Sequence, residues 1–239
     1  MLCVHHLDPP VFDFAAAHLP GLVELSAAAG DPLPDLDGVD GVIVMGGVQS
    51  AVTLDADPAL AAEAVWLRDA LRRGVPVLGV CLGAQLLARV LGGRVFRLPR
   101  RMLSWEPLEL TPAGAADPIL GAIPDGAHGV HWNEDGFELP AGAVELVARG
   151  TRGSCAAFRH GESAWGVQFH PEVGPASLDH WYAHWPAALT EAGVTETDAR
   201  AADTRHLPLQ PALAEAIFGG FARYAAGARS ISSRSLAID

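Results

Sequence analysis

The sequence predicts an α/β fold: a doubly wound, mostly parallel sheet with antiparallel strands at its edge. Three observations point there. Short apolar, β-branched runs alternate with helical apolar spacing through the first half of the chain, which indicates a sheet covered on both faces. The run that ends at Cys81 passes at once into a helix-like pattern, a strand-to-helix junction with no loop. Between Gly92 and Gly161 the runs shorten and are split by Pro- and Gly-rich turns, as antiparallel additions to a sheet would be.

Leu2 to Leu7 reads as the first strand, made less apolar by His5 and His6. Val11 to Leu19 has helical spacing and stops at Pro20-Gly21. Leu22 to Leu25 gives a second short strand, then the loop from Gly30 to Asp37. Gly41 to Met45 is a buried strand running into Gly46-Gly47. Ala59 to Arg73 places Leu60, Ala64, Leu67 and Leu71 on one helix face, and Gly74 ends it. Val75 to Val80 is the next strand. Arg94 to Leu98, Leu103 to Leu110, Val144 to Ala148 and Cys155 to Arg159 read as short strands attached to the main sheet, with His128 to Asn133 in a loop. Trp165 to Phe169 is a last strand. A helix with Leu178, Trp181, Tyr182, Trp185 and Leu189 follows, its aromatics serving as packing or as pocket wall. Pro211 to Ala226 gives a final amphipathic helix, so one domain is expected over 1–226 and a flexible tail over 227–239.

Composition removes several function classes. The 239 residues carry a net charge of −12, and all sixteen basic residues are arginines. Without lysine there is neither a Schiff-base amine nor a Walker-type phosphate loop. The acidic balance argues against nucleic-acid binding. Arg97, Arg100 and Arg101 form the one dense basic patch, a solvated face or a contact for an anionic ligand. Cys3, Cys81 and Cys155 lack metal or disulfide spacing and fit a reducing cytoplasm. His180 and His184, one turn apart, lack the further ligands of a metal site, so neither metal nor cofactor is expected. No apolar run has membrane-spanning length, and Met1 to Leu7 has no signal-peptide pattern.

The chemistry concentrates in two places. Gly79-Val-Cys-Leu-Gly83 sits between a strand and a helix, where small neighbours let the backbone fold back sharply and lift one side chain above the sheet. A thiol there faces a helix amino end, which favours the thiolate. A buried structural cysteine is the competing reading. The N–H of Leu82, just past the thiol, is a natural donor to a developing oxyanion. In the second place, Pro171 biases His170 toward extended backbone, so His170 and Glu172 can face the same way. A histidine base oriented by a carboxylate is what a cysteine nucleophile needs.

Gly79-Val-Cys-Leu-Gly-Ala-Gln85 together with Val167-Gln-Phe-His-Pro-Glu172 resembles the class I, triad-type glutamine amidotransferase family, over most of the chain to about Val173. Stand-alone members related to the glutaminase domain of GMP synthetase are the nearest in pattern. The resemblance implies a flavodoxin-like fold and a Cys81–His170–Glu172 triad. It further implies Gly47 as the second oxyanion donor, Gln85 as a contact for a glutamine-like substrate, and a pocket loop carrying His131 and Trp132. Relatives often have His-Trp-His-Gly-Asp where this chain has His131-Trp-Asn-Glu-Asp135, and proline where it has Val48. The negative charge of Glu134, if near substrate, would disfavour the α-carboxylate of free glutamine and favour an amine-bearing γ-glutamyl compound.

Three functions fit these residues. One is release of ammonia from glutamine through a glutamyl thioester for a separate synthase, since no ATP-binding motif is found in the chain. Another is stand-alone hydrolysis of γ-glutamyl compounds. The third, a non-catalytic interaction module on the same fold, is disfavoured by the presence of all three catalytic residues.

Overall fold

The computed structural model describes residues 1–148 and 154–235, with side chains from 229 onward outside the description. A seven-stranded sheet runs in the order β2-β1-β3-β4-β9-β8-β7. It is built from β1 (Leu2–His5), β2 (Val23–Ser26), β3 (Val42–Val44), β4 (Val77–Val80), β7 (Ala143–Val147), β8 (Ala157–His160) and β9 (Ala164–Val167). The ladders from β2 to β9 are parallel, and β8 and β7 continue the edge antiparallel. A second, two-stranded ribbon pairs β5 (Val95–Pro107) with β6 (His128–Phe137).

Alternation along the strands divides the core between the two sheet faces. Val4, Val42, Val44 and Val77 meet α1 (Pro58–Arg72) and α2 (Leu82–Val90) through Leu60, Leu67, Leu86 and Leu87. Cys3, Ile43, Leu78 and Val80 face the other way, toward Leu213, Ile217, Phe218 and Phe221. The short α3 (Pro112–Ala115) covers β7. Three helices, α4 (Pro175–His184), α5 (Pro186–Ala192) and α6 (Glu196–His206), pack on the ribbon around Leu103, Val130, Leu178, Trp181 and Tyr182. The buried Asp203 of α6 ties them together, accepting from Trp105 Nε1 and Tyr182 Oη, each at 2.9 Å. Burial pushes its carboxyl above the ordinary range. The last helix begins as α7 (Gln210–Ala214), passes through a π-helical turn and continues as α8 (Gly220–Ser235). It thus extends to Ser235 through the segment read as a tail, and 236–239 lie outside the described residues.

Three local expectations are corrected. Val11 to Leu19 forms only a 3-10 turn at Ala16–His18, because tertiary bonds compete for this segment. Phe14 donates its N–H to the Glu172 carbonyl at 3.0 Å, and Asp13 Oδ2 accepts from the N–H groups of Gly174 and Ser177. The two runs at Arg94 to Leu98 and Leu103 to Leu110 are one strand, β5, and it stands outside the main sheet. Pro99, which cannot donate to a ladder, lies within the register shift between Arg97 and Met102. The His128 to Asn133 loop is instead the first part of β6, held extended by pairing with β5 although Gly129 and its polar residues give little strand propensity.

Candidate active site

Three strands of the parallel sheet end at one place, the carboxyl edge, where open α/β sheets gather their ligand sites. β4 delivers Cys81, β3 runs into Gly46-Gly47, and β9 leads through Gln168-Phe169 to His170. Cys81 has φ 51° and ψ −106°, the one non-glycine residue with positive φ among those described. Such a conformation costs about 1–3 kcal/mol and persists where its surroundings impose it. Here they do: a Cβ on Gly79 would lie 2.4 Å from the Gly83 carbonyl oxygen, so the turn closes only with glycine at that position. Cys81 stands just before α2, whose first N–H groups, Leu82's among them, have no acceptor within the helix.

His170 Nδ1 lies 2.7 Å from Glu172 Oε1, and both side chains are buried. Burial alone would lower the imidazole's pKa. The Glu172 carboxylate, with the charge and hydrogen bond of Cys81, outweighs it and holds His170 up at about 10. His170 is thus bonded to Glu172 and biased by the charge of Cys81, and all three residues border one cavity. The edge of the His170 ring comes within 3.0 Å of where a Cβ on Gly46 would stand, and Leu82 Cδ2 within 3.0 Å of one on Gly47. This brings the Gly46-Gly47 backbone against both the His170 ring and the first residue of α2.

These groups open onto a cavity of about 260 Å³. Trp132, Trp181 and Trp185 form an aromatic wall, with Trp181 5.0 Å from the His170 ring and 5.2 Å from Trp132 between centroids. Arg97, Arg101, Glu134 and Asp135 line another part. Cys81, His170, Glu172, Gly47, Leu82, Gln85 and Trp132 of the sequence-derived set border the cavity, whereas His131 is buried beside Phe169 and is not among the lining residues. Gln85 is placed differently from expectation in one respect. Its Nε2 donates to the Asp135 carbonyl and to Gln168 Oε1, both at 3.1 Å, so its donors brace β6 against α2. Arg97 and Arg101 reach the site from the basic patch, and only the choice between solvated face and ligand contact hinted at it. Arg100 turns elsewhere, toward the Glu191 carbonyl. Glu134 is ion-paired to both Arg97 and Arg101, so its charge is compensated rather than repelling.

Cys3 and Cys155 are fully buried and are not among the residues that line the cavity. Burial, and secondarily Glu24 and Glu172, push the Cys3 thiol far up, while Cys155 Sγ contacts the Ala157 carbonyl at 3.5 Å. Among the described residues no cluster of His, Cys, Asp and Glu is placed to hold a metal, and no helix is long and apolar enough to cross a membrane.

Fold and site together define an α/β protein with a cysteine at a strand-to-helix elbow beside a histidine–glutamate pair. The family model for glutamine amidotransferase class-I matches residues 23–184, and the chain belongs to that family. It is 34% identical over 187 residues, 70% of its length, to a GMP synthase [glutamine-hydrolyzing] of Gloeobacter violaceus. It is 33% identical over 159 residues to that of Aeropyrum pernix, 64% of this chain. These matches span only 31% and 28% of the two relatives, so the chain corresponds to about a third of their length. Among solved structures, a glutamine amidotransferase from Thermotoga maritima superposes with a TM-score of 0.80 at 23% identity, covering 94% of this chain and 96% of that one. A glutamine amido transferase from Methylobacillus flagellatus gives 0.78 at 26%, covering 94% of each chain. The flavodoxin-like, mostly parallel architecture is common to them.

Proposed function

We propose that the chain hydrolyses the γ-amide of glutamine through Cys81 and supplies the ammonia to a separate synthase in the cytoplasm. The observation that carries this reading is the strained Cys81 at the head of α2, bordering the same cavity as a His170 held by Glu172. His170 already holds the proton drawn from the thiol, and the sulfur attacks the γ-carbonyl as the thiolate of that pair. The N–H groups of Leu82 and Gly47 receive the oxyanion. The C–N bond breaks, the nitrogen leaves with the proton from His170 as ammonia, and a glutamyl thioester remains. Water, deprotonated by His170, then releases glutamate and restores the thiol. The synthase is suggested by the relatives, which are named as glutamine-hydrolyzing GMP synthases.

One observation favours a second reading, a stand-alone hydrolase of γ-glutamyl compounds. The leaving nitrogen departs against His170, and the wall beside that ring is Trp181, then Trp132, with Trp185 in the same cavity. Ammonia needs no such surface, whereas an amine with an apolar or cationic body would pack on it.

Glutamate release from glutamine and from γ-glutamyl amides of small and bulky amines separates the readings, with Cys81→Ala as the blank. Slow release from glutamine that rises on adding a co-encoded synthetase supports the donor role. Fast release from bulky amides with none from glutamine establishes the second reading instead. No release from any of them above the blank removes both.

A further inference from the structure

We propose that Arg97 and Arg101 bind the α-carboxylate of the γ-glutamyl substrate, and that Glu134 is a resident carboxylate which the substrate displaces. The inference rests on the reading above, that a γ-glutamyl group is bound at Cys81.

The two guanidinium groups are both paired to Glu134, Arg97 Nη1 with its Oε2 and Arg101 Nη2 with its Oε1. A carboxylate thus already sits between them, one oxygen to each, which is the arrangement arginines offer a bound acid. Arg97 Nε is also 3.2 Å from Asp135 Oδ1, and Arg101 Nε is 2.8 Å from Glu191 Oε2. Burial tells which carboxylate gives way. The Glu134 side chain is 40% exposed, so it can turn into water at little cost, whereas that of Asp135 is 5% exposed and accepts from Ser50 Oγ at 2.5 Å. Arg101 is 18% exposed and keeps its pair with Glu191 while Glu134 leaves, so its position does not depend on the carboxylate being exchanged. Exchange of Glu134 for a substrate carboxylate keeps Arg101 compensated throughout.

The reach is right for a glutamyl chain. Gln85 lies one helical turn from Cys81, about 6 Å along α2, and bonds the carbonyl of Asp135, next to Glu134. A γ-glutamyl group spans roughly 4–5 Å from its γ-carbonyl to its α-carbon, at about 1.5 Å per bond. With the γ-carbonyl carbon at Cys81, the amino-acid head therefore falls toward the arginine end of the same cavity. Asn133 Oδ1, buried in that wall without a hydrogen-bond partner, is an acceptor suited to the α-ammonium.

The test measures protection of Cys81 from iodoacetamide, which needs binding but no turnover. The ligands are L-glutamate and isoglutamine, the same acid with its α-carboxyl converted to an amide. In the wild type, glutamate should protect at roughly tenfold lower concentration than isoglutamine. Arg101→Met should erase that preference, and so should Arg97→Met, a substitution at a half-exposed position that keeps the fold. Glu134→Gln should tighten glutamate protection severalfold. The proposal is overturned if both folded arginine variants still prefer glutamate as the wild type does, or if the wild type shows no preference while releasing glutamate from glutamine. Failure of every γ-glutamyl amide to be hydrolysed would instead strike the catalytic reading, which this protection assay does not use.

Discussion

The backbone N–H of Cys81 donates to the carbonyl of Val167 at 2.9 Å, so the last bond of the β4–β9 ladder joins the elbow cysteine to the strand that leads to His170. His170 is three residues beyond Val167, and its own N–H donates to the Val130 carbonyl at 2.9 Å. Thiol and imidazole are thus spaced by main-chain bonds rather than by flexible side chains.

Gly83 is where this support is most sensitive. A Cβ there would lie 2.0 Å from the Val44 carbonyl oxygen, with no side chain able to yield. Gly83→Ala should push α2 away from β3 and lower stability by about 3 kcal/mol or more. Thermal unfolding would show it as a lower midpoint, and a wild-type midpoint with wild-type activity would contradict the packing described.

Thiol chemistry should be confined to one residue. At pH 8 iodoacetamide should label Cys81, which borders the cavity, and leave Cys3 and Cys155, which have no exposed surface, unmodified, as peptide mapping would reveal. Cys81→Ala should stay folded and release no glutamate, while Cys3→Ala and Cys155→Ala stay active. An inactive but folded Cys155→Ala would move the nucleophile elsewhere.

Members of a catalytic array fail together. His170→Ala should reduce turnover by about a thousandfold or more, nearly as far as loss of the thiol. Glu172→Gln keeps the shape of the partner but not its charge, and should retain roughly a hundredfold more activity than His170→Ala. Steady-state glutamate release on both variants decides the matter, and equal turnover in His170→Ala and wild type would refute the assignment of the base.

The raised His170 pKa has a consequence for stability. The folded protein binds this proton more tightly than an unfolded chain, whose histidine titrates near 6.5. The stabilisation is therefore complete below about 6.5 and is lost as pH rises toward about 10. Urea midpoints should fall across that window, and Glu172→Gln should flatten the slope. A wild-type midpoint that rises from pH 7 to 10 would count against the ion pair.

Most of the sheet was legible because its strands are short apolar runs bounded by glycine and proline, and the elbow because Gly79, Cys81 and Gly83 leave few other turns possible. The family model and the solved structures bear out the family and the fold class. What stayed hidden is long-range. Nothing local in Val11 to Leu19 says that its backbone bonds the Glu172 carbonyl instead of forming a helix. The polar run from His131 to Asp135 becomes a strand through its partner β5, and its extension carries Trp132 and Glu134 into the cavity wall. Arg97 and Arg101 looked like solvated charge because the ribbon that folds them over the thiol pairs residues some thirty-five positions apart.

That ribbon hangs outside the seven-stranded sheet, joined by the isolated bridge between Val130 and His170 to the segment that follows β9. Reactivity and choosiness consequently rest on different supports. If the proposed chemistry holds, drift in the ribbon and in the helices packed on it would retune which amide is accepted, while Cys81 and His170 stay anchored in a sheet that tolerates little change. A chain built this way can acquire a new substrate without having to reinvent its chemistry.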